Sequence, residues 1–495
     1  MTKNELSIFA YIIEHIDENG IYQGGALIDD PTPSLPRPLG SDDAYIYTAE
    51  MPPDLPGAEA VCSMLLAYAD EPSSAAKAVL EEALTKILCI SICDPLVELL
   101  SEDEVPEALL ALAEDWLYTA HKRELVKYAI VLLAVFGLET LRREHSENLW
   151  DDLVDLCRCE EFTFFLTFAY RINNIAPQEE LWELVRSTKG WGRIFTLYDL
   201  ECTAEEQEVW LLRHGCEIEI DYAPVCLVVM RKGQLLHHLH QQQLDYKTYR
   251  GCLLIINNFV MMLDRYYIGK GDPTYIDISG IDTETLIREL LRHAERYAGS
   301  PADLIGIINL SIGLQKLITD NNWAALPANT CHELVSRCEK LIYSRDWQQE
   351  VQEQLFKKDG SVDYTIAEFA FELDIDIWER LFDYLKQHPL ESGLFPYLLG
   401  FENDERPQKV LTFIEKNINI YTQSETALLI PLKYLETHPD NFLTCLELGT
   451  VIRKLERAGD HITNIAEEIV FFIDAKVLKH RDKVDEHFLG TEKTQ

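Results

Sequence analysis

Apolar residues recur along most of this chain at intervals of three and four. Leu109, Leu112 and Trp116 fall on one helical face, with Glu107, Glu114 and Asp115 opposite, the pattern of an amphipathic α-helix. The same period predicts helices over residues 124–141, 149–173, 178–186, 204–214, 223–231, 244–265, 283–297, 301–318, 329–344, 366–373 and 377–386, each bounded by Pro, Gly, Asn or Asp. The stretch 124–141 is too apolar for a surface helix and is expected at the centre of a core. A helix nearer the N-terminus is expected over residues 3–18, closed by Asn19-Gly20. Residues 21–56 lose the period and contain Gly24-Gly25, Pro31-Thr32-Pro33 and Pro36-Arg37-Pro38, which predicts a long ordered loop or arm. Only residues 217–220 offer a strand, and they are too few to carry a sheet.

Many short helices joined by short links predict an all-α fold of stacked helical pairs. At 495 residues the chain exceeds one small core. The expected organisation is a helix and arm over 1–56, a helical-repeat domain over 57–390, a C-terminal helical region over 391–480 and a tail over 481–495.

Composition narrows the partners. The chain is 47% hydrophobic and 26% charged, as folded globular chains are. Its formal charge is -40, and residues 1–120 hold only Lys3, Arg37, Lys77 and Lys86 against about 23 acids. Such a field repels phosphate backbones and anionic bilayers, which argues against nucleic acid as a partner. The longest apolar run, residues 128–138, falls short of the roughly 20 residues of a membrane span. Residues 6–13 are interrupted by Glu14 and His15 and read as an amphipathic helix instead of a signal core. A cytoplasmic location is therefore expected. The 12 cysteines, including Cys89/Cys93, Cys157/Cys159 and Cys331/Cys338, are expected as reduced thiols in apolar surroundings.

Near the C-terminus Pro439-Asp440 opens a helix, with Asp440 as N-cap. Leu448, Leu455, Ile462 and Ile469 recur every seven residues, and Ile452, Gly459, Ala466 and Ile473 form a second seam, which predicts lengthwise packing in a bundle. Glu456 and Asp460 lie one turn apart on it, followed by Asn464. Two carboxylates so spaced can ligate a hard cation if other helices complete the shell; a polar seam in a helical bundle is the other reading. Glu372/Asp376 and Glu379/Asp383 repeat the spacing.

No catalytic signature stands out. Gly190-x-Gly192 has Phe195 where a dinucleotide turn needs its third glycine. There is no P-loop, no Gly-x-Ser-x-Gly elbow, no His-Glu-x-x-His, and no His preceded at three residues by Glu. His237 and His240 could share a metal on one helical face, but with His238 and Gln241-Gln242-Gln243 a solvated polar face is the expectation. Glu289/His293 reads as a surface contact. Trp191, Trp210 and Tyr266-Tyr267 suit either an apolar pocket or core.

Three resemblances add expectations. Gly190-Trp191-Gly192-Arg193-Ile194 with Leu200, Thr203, Glu206, Trp210-Leu211-Leu212-Arg213 and Gly215-Cys216 resembles a module of bacterial HEAT-like helical-repeat proteins. There Gly192 would permit close helix approach, and Ile194, Leu197 and Leu200 would form one apolar face. The segment from Leu455 to Glu467, within a helix over 440–478, resembles the closing helix of PhoU-type phosphate-regulatory proteins. That resemblance implies iron or zinc binding, with Glu456 and Asp460 in place of the family's paired acids. Taken whole, from Ile8-Phe9-Ala10 through Asp17-Glu18-Asn19-Gly20-Ile21-Tyr22 to this tail, the chain resembles bacterial proteins named limonene hydroxylase. This implies hydroxylation of a small hydrophobic monoterpene to perillyl alcohol or carveol, with NAD-dependent oxidation of the alcohols. The alternative is a non-catalytic helical-repeat protein that binds a protein partner. Catalytic and NAD-binding residues are not named by any motif.

Overall fold

The computed structural model describes residues 6–30, 37–102, 104–144, 147–265, 278–320, 326–389 and 391–399, with short pieces at 405–406, 409–410 and 412–413. Among the described residues the chain is all-α, with 23 α-helices, two single 3-10 turns and no strand. It divides into two compact units, Met1–Asp346 and Trp347–Gln495. The heptad helix, with Asp440, Glu456, Asp460 and Asn464, lies outside the described residues, as do Tyr266 and Tyr267.

The first unit opens with α1 (Ile8–Glu14), capped by Ser7, whose hydroxyl accepts from Ala10 N. The helix ends at Glu14, short of the expected residue 18. Asp17 N donates to Ile21 O at 3.0 Å, and its carboxylate accepts from Asn19 N and Ile21 N. The chain turns back through Gly20, at φ 75°, into a bridge between Ile16 and Tyr22. The expected ordered loop or arm is not a loop throughout, because α2 (Ser41–Thr48) forms within it. Its face is held by a buried ion cluster, described below, that no apolar period announces.

Next come α3 (Leu55–Asp70), α4 (Ser74–Leu84), α5 (Cys93–Leu100) and α6 (Glu107–Thr119). Asp54 and Ser73 cap the first two of these through Gly57 N and Ala76 N. Helix α7 (Arg123–Phe136) is central as expected, with every side chain from Glu124 to Ala134 buried. It stops at Gly137, at φ 90°, and α8 (Leu138–Glu144) follows. Asn173 splints the break, donating to Ala134 O and accepting from Leu138 N, each at 3.0 Å.

The expected helix over 149–173 is two, α9 (Glu147–Leu156) and α10 (Glu160–Ile172). Thr163 Oγ1 takes up the carbonyls of Cys157 and Cys159 at the joint. Helices α11 (Gln178–Ser187), α12 (Gly190–Asp199), α13 (Glu205–His214), α14 (Val225–Lys232), α15 (Leu235–Leu239) and α16 (Tyr246–Arg265) follow. Then come α17 (Thr283–Tyr297), α18 (Pro301–Thr319) and α19 (Ala328–Ile342). Residues 217–220 form no strand.

Gly192 serves as expected. A Cβ there would lie 2.8 Å from Thr163 Oγ1 and 3.2 Å from Glu160 Cα, so its lack of side chain sets the approach of α12 to α10. Ile194, Leu197 and Leu200 are all buried. Gly251 does the same for α16 on α13, where a Cβ would fall 1.9 Å from Leu212 O. Helix α18 is long and apolar enough to cross a membrane, and it packs between α16 and α19.

The second unit holds α20 (Gln348–Gln354), α21 (Tyr364–Glu372), α22 (Trp378–Gln387) and α23 (Phe395–Leu399). Its core gathers Trp347, Phe369, Trp378 and Leu398, with Trp378 Nε1 donating to Leu398 O at 2.9 Å. Here α20 leads into the same turn that follows α1. Lys357 N donates to Ser361 O, Gly360 stands at φ 85°, and Phe356 bridges Val362. The two units therefore share a helix-and-turn device that the helical periodicity does not report.

Candidate functional site

Two features of the first unit set it apart from ordinary helical packing, and α2 joins them. The first is internal. Lys127, on the buried face of α7, places Nζ 2.7 Å from Asp43 Oδ2, 2.8 Å from Glu161 Oε1 and 3.0 Å from Glu124 Oε1. One ammonium thus supplies three carboxylates from α2, α7 and α10, with the Phe165 ring 5.6 Å away. The acids are unequally served. Glu161 also receives Gly40 N at 2.9 Å and faces Arg123 at 3.4 Å. Glu124 receives Cys89 N at 2.8 Å. Among the described residues Asp43 has only the ammonium, and neither of its oxygens has a hydrogen bond of good geometry. Arg123 is occupied besides by Asp29 and Asp30.

The proton follows this inequality. Burial, with Glu161 and Glu124 beside it, pushes the Asp43 carboxyl up to about 7 against the pull of Lys127. Burial would also raise Glu161, but Lys127 and Arg123 outweigh it and hold its carboxyl below the ordinary range. Lys127 is desolvated, yet the three carboxylates keep it firmly charged. The cluster cannot act as a nucleophile or open acid–base pair, because it is shut from solvent; it fastens α2 to α7 and α10.

The second feature is external. Tyr47 lies one turn beyond Asp43 on α2. Its ring meets Phe164 at 5.2 Å and Phe195 at 5.8 Å, both edge to face. Phe195 leads to Trp191 at 6.1 Å, and Trp191 to Tyr222 at 5.0 Å. The Tyr222 and Tyr198 hydroxyls stand 3.4 Å apart. Phe164 and Phe195 form a buried floor, while Tyr45, Tyr47 and Tyr198 are 69%, 40% and 37% exposed. Arg171, exposed on α10, stacks over Tyr47 and Phe164 at 5.9 and 5.6 Å and has no ion pair among the described residues.

Asp199 closes α12 beside this strip. Its Oδ2 is enclosed without a hydrogen-bond partner among the described residues, and burial raises its carboxyl against the pull of Arg171 and Lys232. Lys232 Nζ caps the end of α12 by donating to Tyr198 O at 3.0 Å and Leu200 O. A rigid, half-exposed surface of Tyr, Trp and Arg is the composition of a protein-binding hot spot.

Other concavities are less distinctive. A groove of about 520 Å³ between α17 and α19 is lined by Leu291, Glu295, Glu333, Ser336 and Arg337. Its acids are already paired, Glu333 with Arg288 at 2.6 Å and Glu295 with Arg337 at 3.4 Å. A second, of about 310 Å³, adjoins Val209, Trp210 and Arg213, where Trp210 meets Trp182 edge to face.

The histidines meet expectation only in part. His237 and His240 are exposed, but His238 is buried and its Nε2 lies 3.0 Å from Glu208 Oε2. The short α15 turns that one histidine inward, so the three do not form a solvated face. His293 is also buried, with Nε2 2.9 Å from Leu239 O, while Glu289 pairs with Arg292; this is not a surface contact. Asp376 is taken by Arg406 and Asp383 by Lys386. Among the described residues no three His, Cys, Asp or Glu side chains are arranged to hold a metal ion. Of the expected aromatics, Trp191 enters the strip. Asp43, Tyr47, Lys127, Glu161, Arg171, Tyr198 and Tyr222 carry no motif that singles them out in the sequence. The detectable signal is Glu124-x-x-Lys127 inside an otherwise apolar helix.

Comparison with known proteins gives one partial likeness. A stretch of 90 residues, 18% of this chain, is 32% identical to phosphate-specific transport system accessory protein PhoU homologs from two strains of Xylella fastidiosa. The match spans 37% of those relatives' length. No family model and no solved structure matches the chain.

Proposed function

We propose that this chain is a non-catalytic helical-repeat protein with a regulatory role, acting by binding a protein partner through the Tyr47–Tyr198–Tyr222 surface of its first unit. The observation that carries the reading is that surface. Exposed tyrosines and Arg171 are held in fixed ring contacts, and α2 beneath them is fastened by a buried ion cluster. Pre-organised aromatic and arginine groups lose little freedom on binding, which is what an interaction surface needs. Stacked pairs such as α6/α7 and α18/α19 suit a HEAT-like scaffold. The PhoU-like stretch supports a regulatory class, with iron or zinc at Glu456 and Asp460 as part of the proposal. A cytoplasmic location suits described cysteines that are all buried except Cys202.

The test is crosslinking capture from the native host, followed by mass spectrometry, with wild type beside Tyr45→Ala/Tyr47→Ala. A partner recovered with wild type and lost with the variant supports the reading; equal recovery overturns it. Monoterpene oxidation, the activity implied by whole-chain resemblance, is a separate class of function. Incubation of the same protein with limonene or perillyl alcohol and NAD, scored by gas chromatography, distinguishes the two: product formation would make it an oxidoreductase.

A further inference from the structure

The strip has a chemical polarity that narrows its partner, and this step rests on the interaction reading above. Its half-exposed rings, Tyr47, Tyr198 and Tyr222, present π-faces and phenol oxygens. The chain around Tyr198 and Tyr222 is acidic: Asp199 and Glu201 follow the first, and Glu217, Glu219 and Asp221 precede the second. Glu201, Glu217, Glu219 and Asp221 are exposed, with Glu217 Oε2 already 2.8 Å from His214 Nδ1 and Asp221 engaged as well. Among the described residues Arg193, Lys232, Lys189 and Arg171 lie on or near this side, and Arg193 is held by the carbonyls of Thr188, His214 and Glu217. Lys232 is consumed by the end of α12, and Lys189 by Glu219 at 3.3 Å. Arg171 already shows what the rings accept, since its guanidinium lies over Tyr47 and Phe164. Asp199 Oδ2 has no donor of its own among the described residues.

We propose that this strip binds an arginine- or lysine-bearing segment of its protein partner, with a cation stacked on the Tyr198 and Tyr222 rings and paired with Glu201 on the acidic rim. Aromatic faces attract cations most where water is partly excluded, as over the Phe164–Phe195 floor. A formal charge of -40 steers a basic segment in and an acidic one away. The bulk field supplies encounter, and the rings supply the site.

The experiment uses the full chain and a fluorescein-labelled Gly-Arg repeat peptide, with a Gly-Glu repeat as counterpart. Binding is read by anisotropy at about 0.15 M salt, where distant exposed charges are largely screened. Wild type is expected to bind the arginine peptide and not the glutamate peptide. Tyr198→Ala/Tyr222→Ala should weaken binding roughly tenfold without changing net charge. Tyr198→Phe/Tyr222→Phe keeps the rings and should keep binding, which separates ring loss from misfolding. Arg171→Glu should strengthen it. Preference for the glutamate peptide, or an alanine pair that binds as wild type does, overturns the proposal; the latter would mean attraction by bulk charge alone. If Tyr45→Ala/Tyr47→Ala loses its captured partner while wild type ignores the arginine peptide, the basic chemistry fails and the interaction reading stands.

Discussion

Lys127 Nζ stands 2.7 Å from Asp43 Oδ2, with both side chains almost wholly enclosed. The pair joins α2 to α7, and Glu161 extends it to α10. Removing the cation leaves three buried carboxylates without their common partner. Lys127→Met is therefore expected to cost about 3–5 kcal/mol, the range for breaking a buried ion pair from one side. Asp43→Asn should cost less, because Lys127 keeps two acids. Chemical denaturation of both variants checks the order; equal midpoints would contradict it.

Asp43 also gives stability a pH dependence of definite sign. Its carboxyl is pushed from an ordinary 3.8 up to about 7 in the folded chain, chiefly by burial. The folded state thus binds a proton there that the unfolded state has released. This contribution is fully present below about 3.8 and is lost as pH rises toward 7. Over that window wild type should lose stability relative to Asp43→Asn, which has no proton to lose. Denaturant midpoints of the two proteins at pH 5, 6, 7 and 8 measure the difference, and parallel curves would count against it.

The approach of α12 to α10 depends on the missing side chain of Gly192. Gly192→Ala places a Cβ 2.8 Å from Thr163 Oγ1 and is expected to cost about 1–3 kcal/mol. Gly251→Ala should cost more, since the obstacle at 1.9 Å is the Leu212 carbonyl itself. Thermal melts of the two variants rank them.

Much of the architecture was legible because helical periodicity is local. Helix α17 starts and stops where Asp282 caps it and the apolar period ends, and the centrality of α7 follows from its unbroken apolar run. What periodicity missed depends on distant partners. Helix α2 has no apolar face to announce it, and it is held through Asp43 by a lysine 84 positions away. His238 sits in a polar stretch, and only its meeting with Glu208 on α13 explains its burial. The aromatic strip draws on α2, α10, α12 and the loop at Tyr222, so no single segment carries its signature. Glu456 and Asp460 lie outside the described residues.

For those two acids the expectation is chemical. Glu456→Gln and Asp460→Asn should each lower the iron or zinc retained by the purified chain, read by elemental analysis beside wild type. Unchanged metal content would leave them as members of a polar seam.

At the junction of α2, α7 and α10, Lys127 occupies the place that a calcium or zinc ion takes in many carboxylate clusters. A bound ion comes and goes with its free concentration and with chelators. This counterion is tethered to the backbone by four methylenes and cannot be dialysed away. Tyr47, one turn from Asp43, is therefore anchored by a counterion that no chelator can withdraw.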